Sequence, residues 1–314
     1  MSARLRGMAT ETERIVAVGG YTSPAGREVR LTPWLTEAAE GTRLYGPGPV
    51  DAVGATGRVE GPRVASGTRF EVTPEGSLAA ARRLGDELGG AGGAGPAGGL
   101  ATAGDPDPMG RAGARSVVAV LDFASARNAG GGYLNGAQAQ EEALCRGSAL
   151  YTCLRRVPEF YAAHRADPSP FYSDRVIYAP GVAVFRDEDG TLLEEPYRAA
   201  FLASAAPNAG VIARRDLAAV ARVPAALAAR AERVLAVAAA HGHRHLVLGA
   251  WGCGVFRNDP AHVAGAFRAL LTGDGRFAGH FARVVFAVLD RRADSPTRAA
   301  FTTAFATETA AHTG

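Results

Sequence analysis

From residue 116 onward, short apolar runs alternate with stretches of helical periodicity. Ser116–Asp122 reads as a buried strand, residues 137–157 as one long helix, and 175–179 as a second strand-like run. Val182–Phe185 and Thr191–Leu193 flank Arg186-Asp187-Glu188-Asp189-Gly190, a turn signal that predicts a hairpin. Arg198–Ala206 reads as a further strand, Pro224–His241 as an alanine-rich helix, His245–Gly249 as a strand, Pro260–Leu271 as a helix and Ala282–Leu289 as a strand. Such alternation predicts an α/β fold, a mixed sheet between helices. Upstream, Arg14–Gly20, Glu28–Thr32 and Thr68–Thr73 have strand character, and Pro74-Glu75-Gly76-Ser77 introduces a helix running to about Leu88. Residues 89–104 are nearly all glycine and alanine. They bury too little side chain to offset the entropy of ordering and read as a flexible insertion. The expected organisation is therefore an N-terminal accessory region (1–88) packed on the domain, a Gly-rich insertion (89–115), a catalytic core (116–290), and a C-terminal helix or tail (291–314).

Composition narrows the classes without naming one. Hydrophobic residues make up 47% of the 314, enough for a sizeable core. No window approaches ~18 consecutive apolar residues, and the first residues lack the apolar core of a signal peptide, so a cytoplasmic protein off the membrane is expected. All 34 basic residues are arginine, which excludes a P-loop lysine and Schiff-base catalysis. The net charge of +3 is spread along the chain and does not predict direct DNA binding. Cys145, Cys153 and Cys253 have no CxxC spacing and read as reduced fillers. His241-Gly242-His243-Arg244-His245 invites a metal reading, but it straddles a helix end and a strand start with no carboxylate nearby, so no metal is expected.

The chemistry concentrates in two glycine loops, each following a predicted strand. In the first, Gly130-Gly131-Gly132 precedes Gln140-Glu141-Glu142 at a predicted helix start. Glycines let a backbone approach a ligand closely, and a helix N-terminus favours an anion, so the loop suits a phosphate. Adjacent carboxylates beside such a site raise each other's energy, which points to work on a ligand more than to packing. Consecutive helical residues diverge by about 100°, so Glu141 and Glu142 divide the labour. The second loop, Gly249-Ala250-Trp251-Gly252-Cys253-Gly254-Val255-Phe256-Arg257-Asn258, runs into a helix with Asp259 placed as N-cap and Pro260 at its first position. Two such loops fit a diphosphate between them. Phe256 projects towards whatever the glycines hold, or else staples the following helix. Asn128 suits a ribose hydroxyl or a turn, and Gln140 holds the loop or orients Glu142.

The triplet, its seven-residue spacer and Gln140-Glu141-Glu142 resemble the signature of the poly(ADP-ribose) glycohydrolases, and Phe123-Ala124-Ser125-Ala126-Arg127-Asn128 is similar to the bacterial type. The second loop and Tyr178-Ala179-Pro180-Gly181-Val182 extend the likeness over roughly Ile15 to Asp290. Ala129 and Asp122 depart from the pattern, which commonly has proline and asparagine there. The resemblance implies a macrodomain-like fold and hydrolysis of the ribose–ribose bond of poly(ADP-ribose), or action on ADP-ribosylated protein, with ADP-ribose as product. It also implies that ADP-ribosylation is reversed, in the setting of the DNA damage response, by a monomer without a cofactor. Glu142 becomes the general acid/base and Glu141 a partner for ribose hydroxyls. Asn128, Gly130, Gly131, Gly132, Gln140, Gly252, Gly254, Val255 and Phe256 become ligand contacts, Phe256 by ordering the ribose at the scissile bond. Two other readings stay open: a non-catalytic ADP-ribose reader, which would not need paired carboxylates, and a hydrolase for ADP-ribose on protein or nucleic acid.

Overall fold

The structure, a computed structural model, describes residues 2–48, 50, 63–64, 67–91, 118–290 and 292–310. In chain order the elements are α1 (Ala3–Val18), β1 (Gly20–Thr22), β2 (Glu28–Arg30), α2 (Thr32–Gly41), β3 (Arg43–Tyr45), β4 (Arg69–Thr73), α3 (Ser77–Ala91) and β5 (Ala119–Phe123). Then come α4 (Gln140–Gly147), α5 (Leu150–Arg155), α6 (Pro158–Ala166), β6 (Val176–Arg186), β7 (Leu192–Ser204) and α7 (Ala209–Arg215). The chain continues with α8 (Val223–Ala240), β8 (His245–Gly249), α9 (Pro260–Leu271), β9 (Arg283–Ala287), α10 (Pro296–Ala304) and α11 (Ala306–Ala310).

Seven strands form one mixed sheet in the order β3-β6-β7-β5-β8-β9-β4. The run from β7 to β4 is parallel, and β6 pairs antiparallel with both β3 and β7. Strand side chains alternate between faces, and both faces are covered. Val120, Phe201, Val247 and Val285 face one core with α1 to α6, whereas Leu121, Leu202, Leu248 and Phe286 face the other with α8, α9 and α10. The expected mixed sheet between helices is present.

Several elements differ from the sequence reading. Arg14–Gly20 belongs to helix α1, which Ser2 caps at its start and Gly19 ends at φ 81°; Ala9, Thr12 and Ile15 recur at helical spacing on its buried face. The single helix over 137–157 is two, because Ser148 adopts extended backbone, bridges to Val184 and turns its hydroxyl onto the Leu144 carbonyl at 2.7 Å. The runs at 175–179 and Val182–Phe185 are one strand, β6, with a bulge between Ala179 and Val182. Helices α2, α6 and α7 and strand β3 had no counterpart in the expected pattern. The upstream region, expected as an accessory layer, supplies both edge strands of the sheet, β3 and β4. The Gly-rich stretch lies outside the described residues apart from 89–91 at the end of α3.

At the β4 edge, Arg283 pairs with Glu71 and with Glu87 at 2.5 Å, while Arg83 reaches Glu71 at 3.1 Å, Glu75 at 2.7 Å and Glu87 at 3.0 Å. The Arg283 side chain is 13% exposed. Its loss strands a partly buried acidic cluster, so Arg283→Met should cost about 2 kcal/mol in denaturant unfolding, between the surface and buried limits for such pairs. A cost no larger than that of an exposed pair would show that the network contributes nothing beyond solvation.

His164 of α6 tests the interior differently. It is buried, its Nε2 lies 2.7 Å from Ser173 Oγ, and burial pushes its pKa down to about 4 from 6.5. The unfolded chain binds this proton first, so the contribution of neutral His164 is full above 6.5 and is lost as pH falls towards 4. Thermal melts of wild type and His164→Phe should diverge in that window, with the variant less sensitive to acid; parallel curves would contradict the assignment.

Candidate active site

The two glycine loops leave neighbouring strands. β5 and β8 run parallel and adjacent, so both loops emerge at the carboxyl edge of the sheet, where α/β folds bind ligands. The loop starts also touch: a Cβ on Gly249 would lie 3.1 Å from Phe123 Cζ.

In the first loop Gly130 and Gly131 take φ of 65° and 56°, a consecutive left-handed pair that side chains resist. This turns the backbone onto α4. Gly132 N donates to Glu142 Oε1 at 2.9 Å, Ser125 N donates to Glu141 Oε2 at 2.7 Å, and Gly131 N donates to the Asn128 carbonyl at 3.0 Å. The amides of Gly131 and Gly132 thus serve the turn and a carboxylate instead of facing a phosphate, a departure from the sequence expectation. What the glycines supply is space. A Cβ on Gly131 would sit 2.5 Å from Glu142 Oε1 and 3.2 Å from Glu141 Oε2.

Glu141 and Glu142 lie in the first turn of α4 and are 2% and 7% exposed, unusual burial for carboxylates. Burial raises the Glu141 carboxyl well above the usual range, Asp122 adds to the rise, and the Ser125 amide opposes it. Arg146, one turn on from Glu142, is also buried and donates to the Ala137 carbonyl at 2.6 Å; burial lowers its pKa, and the Glu142 charge opposes that drop.

Gln140 has a different occupation from the ligand contact expected of it. Its Oε1 accepts from Phe123 N at 2.9 Å, and its Nε2 donates to the Leu121 carbonyl at 2.8 Å and to Ser77 Oγ at 3.1 Å. The side chain pins the start of α4 to the end of β5 and so sets the height of both glutamates. Asn128 is exposed at the loop tip.

The second loop is held from outside. Trp251 is buried with Nε1 donating to the Ser204 carbonyl at 2.9 Å, and Asn258 Nδ2 donates to the Pro207 carbonyl at 2.9 Å. Asp259 caps α9 through Ala261 N at 2.8 Å, and Pro260 opens the helix, as the sequence predicted. Among the described residues the amides of Gly252, Gly254, Val255 and Phe256 donate to no protein acceptor. Gly254 has open space where a Cβ would stand, and Val255 is 81% exposed. Successive unengaged N–H groups on a clamped loop form an anion cradle. Phe256 is half-buried with its ring 5.9 Å from that of Tyr172. Tyr172 and Arg257, at φ 59° and 58°, are the non-glycine left-handed residues among those described.

Two tyrosines adjoining these motifs serve the scaffold. Tyr133 is buried, its hydroxyl donating to the Ala9 carbonyl at 3.2 Å and to Glu13 at 3.1 Å, which ties α1 to the glycine turn. Tyr178 stacks on His241 at 3.6 Å and meets His243 Nε2 at 2.9 Å; His241 in turn meets Tyr45 at 2.8 Å. Among the described residues no group of three or more His, Cys, Asp or Glu side chains is arranged to hold a metal ion, and no helix is long and apolar enough to cross a membrane. Sequence reasoning gave no role to Asp122, Ser125 or Arg146. The fold brings Asp122 and Ser125 to the glutamates, whereas the i, i+4 spacing on α4 brings Arg146.

An α/β sheet with two buried carboxylates and an anion cradle at its carboxyl edge suits an enzyme that acts on a phosphate-bearing ligand. The comparisons give the family: the microbial-type PARG catalytic domain matches residues 9–187, and the chain belongs to it. The family comprises glycosidases that hydrolyse poly(ADP-ribose), and the sheet is macrodomain-like. The chain is similar to the poly(ADP-ribose) glycohydrolase of Thermomonospora curvata, at 48% identity over 97% of this chain and 100% of that one, with a TM-score of 0.83. A structure of the same enzyme bound to the inhibitor ADP-HPD superposes with a TM-score of 0.79, also at 48% identity, over 96% and 99% of the two chains. The poly(ADP-ribose) glycohydrolase of Deinococcus radiodurans in complex with ADP-ribose is 40% identical over 90% of this chain and 100% of that one, with a TM-score of 0.71. A search of curated proteins gave no match.

Proposed function

We propose that this chain hydrolyses the ribose–ribose O-glycosidic bonds of poly(ADP-ribose) and releases ADP-ribose, with Glu142 as general acid and base. The observation that carries the role assignment is the division of partners. Glu142 is fixed on one oxygen by Gly132, next to the surface that the absent Gly131 side chain leaves clear, while Glu141 lies deeper and is held by Ser125. Glu142 protonates the departing ribose oxygen as the bond to the anomeric carbon opens towards an oxocarbenium-like state, then takes a proton from the attacking water. Glu141 binds ribose hydroxyls. The diphosphate lies against the amides of Gly252–Phe256, where its charge also favours the cationic ribose. Asn128, Gly130 and Val255 border the same ligand, and Gln140 is a positioning residue.

Incubation with polymer and, separately, with mono-ADP-ribosylated protein tests the substrate. Free ADP-ribose from polymer supports the proposal; release only from the modified protein points to a hydrolase of attached ADP-ribose, and binding without release to a reader. The cradle has its own control. Gly254 has no positive φ and nothing within 4 Å of a Cβ, so Gly254→Leu should fold normally yet weaken ADP-ribose binding. Unchanged affinity in a displacement titration would remove the second loop from the ligand site.

A further inference from the structure

Three carboxyl groups gather behind the glycine turn, and their partners are unequal. Glu142 has the Gly132 amide and Glu141 has the Ser125 amide on one oxygen. Asp122, at the end of β5, is 0% exposed, and among the described residues neither of its oxygens has a hydrogen-bond partner. Two further buried atoms near it, Glu141 Oε1 and the Tyr161 hydroxyl of α6, also have no hydrogen-bond partner among the described residues. Among the described residues the titratable groups acting on Asp122 or acted on by it are Glu141, Glu142 and Cys145 from α4 and Tyr161 from α6, none of them a cation.

Buried polar atoms find partners, and a buried charge needs a counter-charge or donors. An ionised Asp122 would present two acceptor oxygens beside a second buried acceptor, Glu141 Oε1, and among the described residues no donor reaches any of the three. The donor this cluster lacks is a proton. Asp122 is the group that takes it, because each glutamate has an amide on its carboxylate and Asp122 has none.

We propose that Asp122 is a neutral carboxylic acid in the resting enzyme and directs its O–H towards Glu141 Oε1, directly or through one water. The pair holds one proton, and Asp122 is the positioning residue that fixes the face of Glu141 turned to the ribose hydroxyls. Burial first, and the Glu142 charge second, drive the Asp122 carboxyl well above its ordinary range, in the same direction. The inference rests on the role proposed for Glu141, but its test reads the free protein and is independent of glycosidase activity.

Infrared spectra at neutral pH provide the test. Wild type should show the carbonyl stretch of a protonated carboxylic acid, and Asp122→Asn, which keeps the shape and a donor but cannot hold the acid proton, should lose that band in the difference spectrum. Stability gives a second reading. A raised folded pKa on an acid stabilises fully below the unfolded value, about 3.9, and that contribution is lost as pH rises through the folded value. Wild type should therefore lose stability relative to Asp122→Asn as pH rises above the ordinary carboxylate range. No protonated-carboxyl band in wild type, or one that survives in Asp122→Asn, overturns the proposal, as do parallel stability curves. Should Asp122→Asn fail to fold, Glu141→Gln replaces it: the band should persist but shift as its acceptor changes from carboxylate to amide, and an unshifted band overturns the shared pair.

Discussion

Replacing Glu142 with Gln should lower polymer turnover by about 10²–10⁴-fold while ADP-ribose affinity changes little. The substitution keeps size and leaves an oxygen able to accept from Gly132 N, now 2.9 Å from Glu142 Oε1, so the turn and helix start should persist. What disappears is the ability to deliver and recover a proton at the glycosidic oxygen. Binding and chemistry should then separate: titration with ADP-ribose gives the affinity, and single-turnover cleavage of polymer gives the rate. Glu141→Gln should disturb both, because its proposed partners are ribose hydroxyls. A Glu142→Gln protein that cleaves polymer at nearly the wild-type rate would transfer the acid role to another carboxylate. Binding of ADP-ribose with no polymer cleavage by the wild type as well as by the variants would favour a reader.

Gly131→Val should abolish measurable turnover, with a loss at least as large as that of Glu142→Gln, and should weaken ADP-ribose binding as well. The cause is local. The new Cβ would stand 2.5 Å from Glu142 Oε1, inside contact distance, and at φ 56° the valine backbone is itself strained. Relief requires the carboxylate to leave Gly132 or the turn to open, and either change breaks the geometry that both glutamates depend on. Melting temperature should fall modestly, since a left-handed non-glycine residue costs about 1–2 kcal/mol. A Gly131→Val protein retaining wild-type turnover would mean that the carboxylate positions in this turn do not matter for cleavage. Gly254→Leu is the contrast: its effect should appear in binding, with the fold intact.

The parts of the site that are contiguous in sequence could be read there. The triplet, the paired glutamates and the Asp259-Pro260 helix start are local features, and local sterics and capping place them. The direction in which the glycine amides point could not be read, because it depends on α4 packing back over the turn. Gln140 was legible as a polar residue beside the glutamates, but its partners lie 17, 19 and 63 residues away at Phe123, Leu121 and Ser77. Arg14–Gly20 was misread because a short apolar stretch suits a strand or a helix equally, and the Ser2 and Gly19 caps decide it. Residues 137–157 were misread as one helix because the bridge that breaks it joins Ser148 to Val184.

By itself the sequence determined the α/β alternation, the two glycine loops and the adjacent carboxylates, since each is encoded by near neighbours through periodicity, backbone freedom and helix geometry. The tertiary structure alone decided that β5 and β8 lie side by side, so that the two loops form one site, and that the upstream segment completes the sheet at both edges. It also decided that Asp122 is buried near Glu141 with no hydrogen-bond partner for its carboxyl among the described residues. Burial and pairing between distant segments follow from how the whole chain packs, and no local pattern carries them.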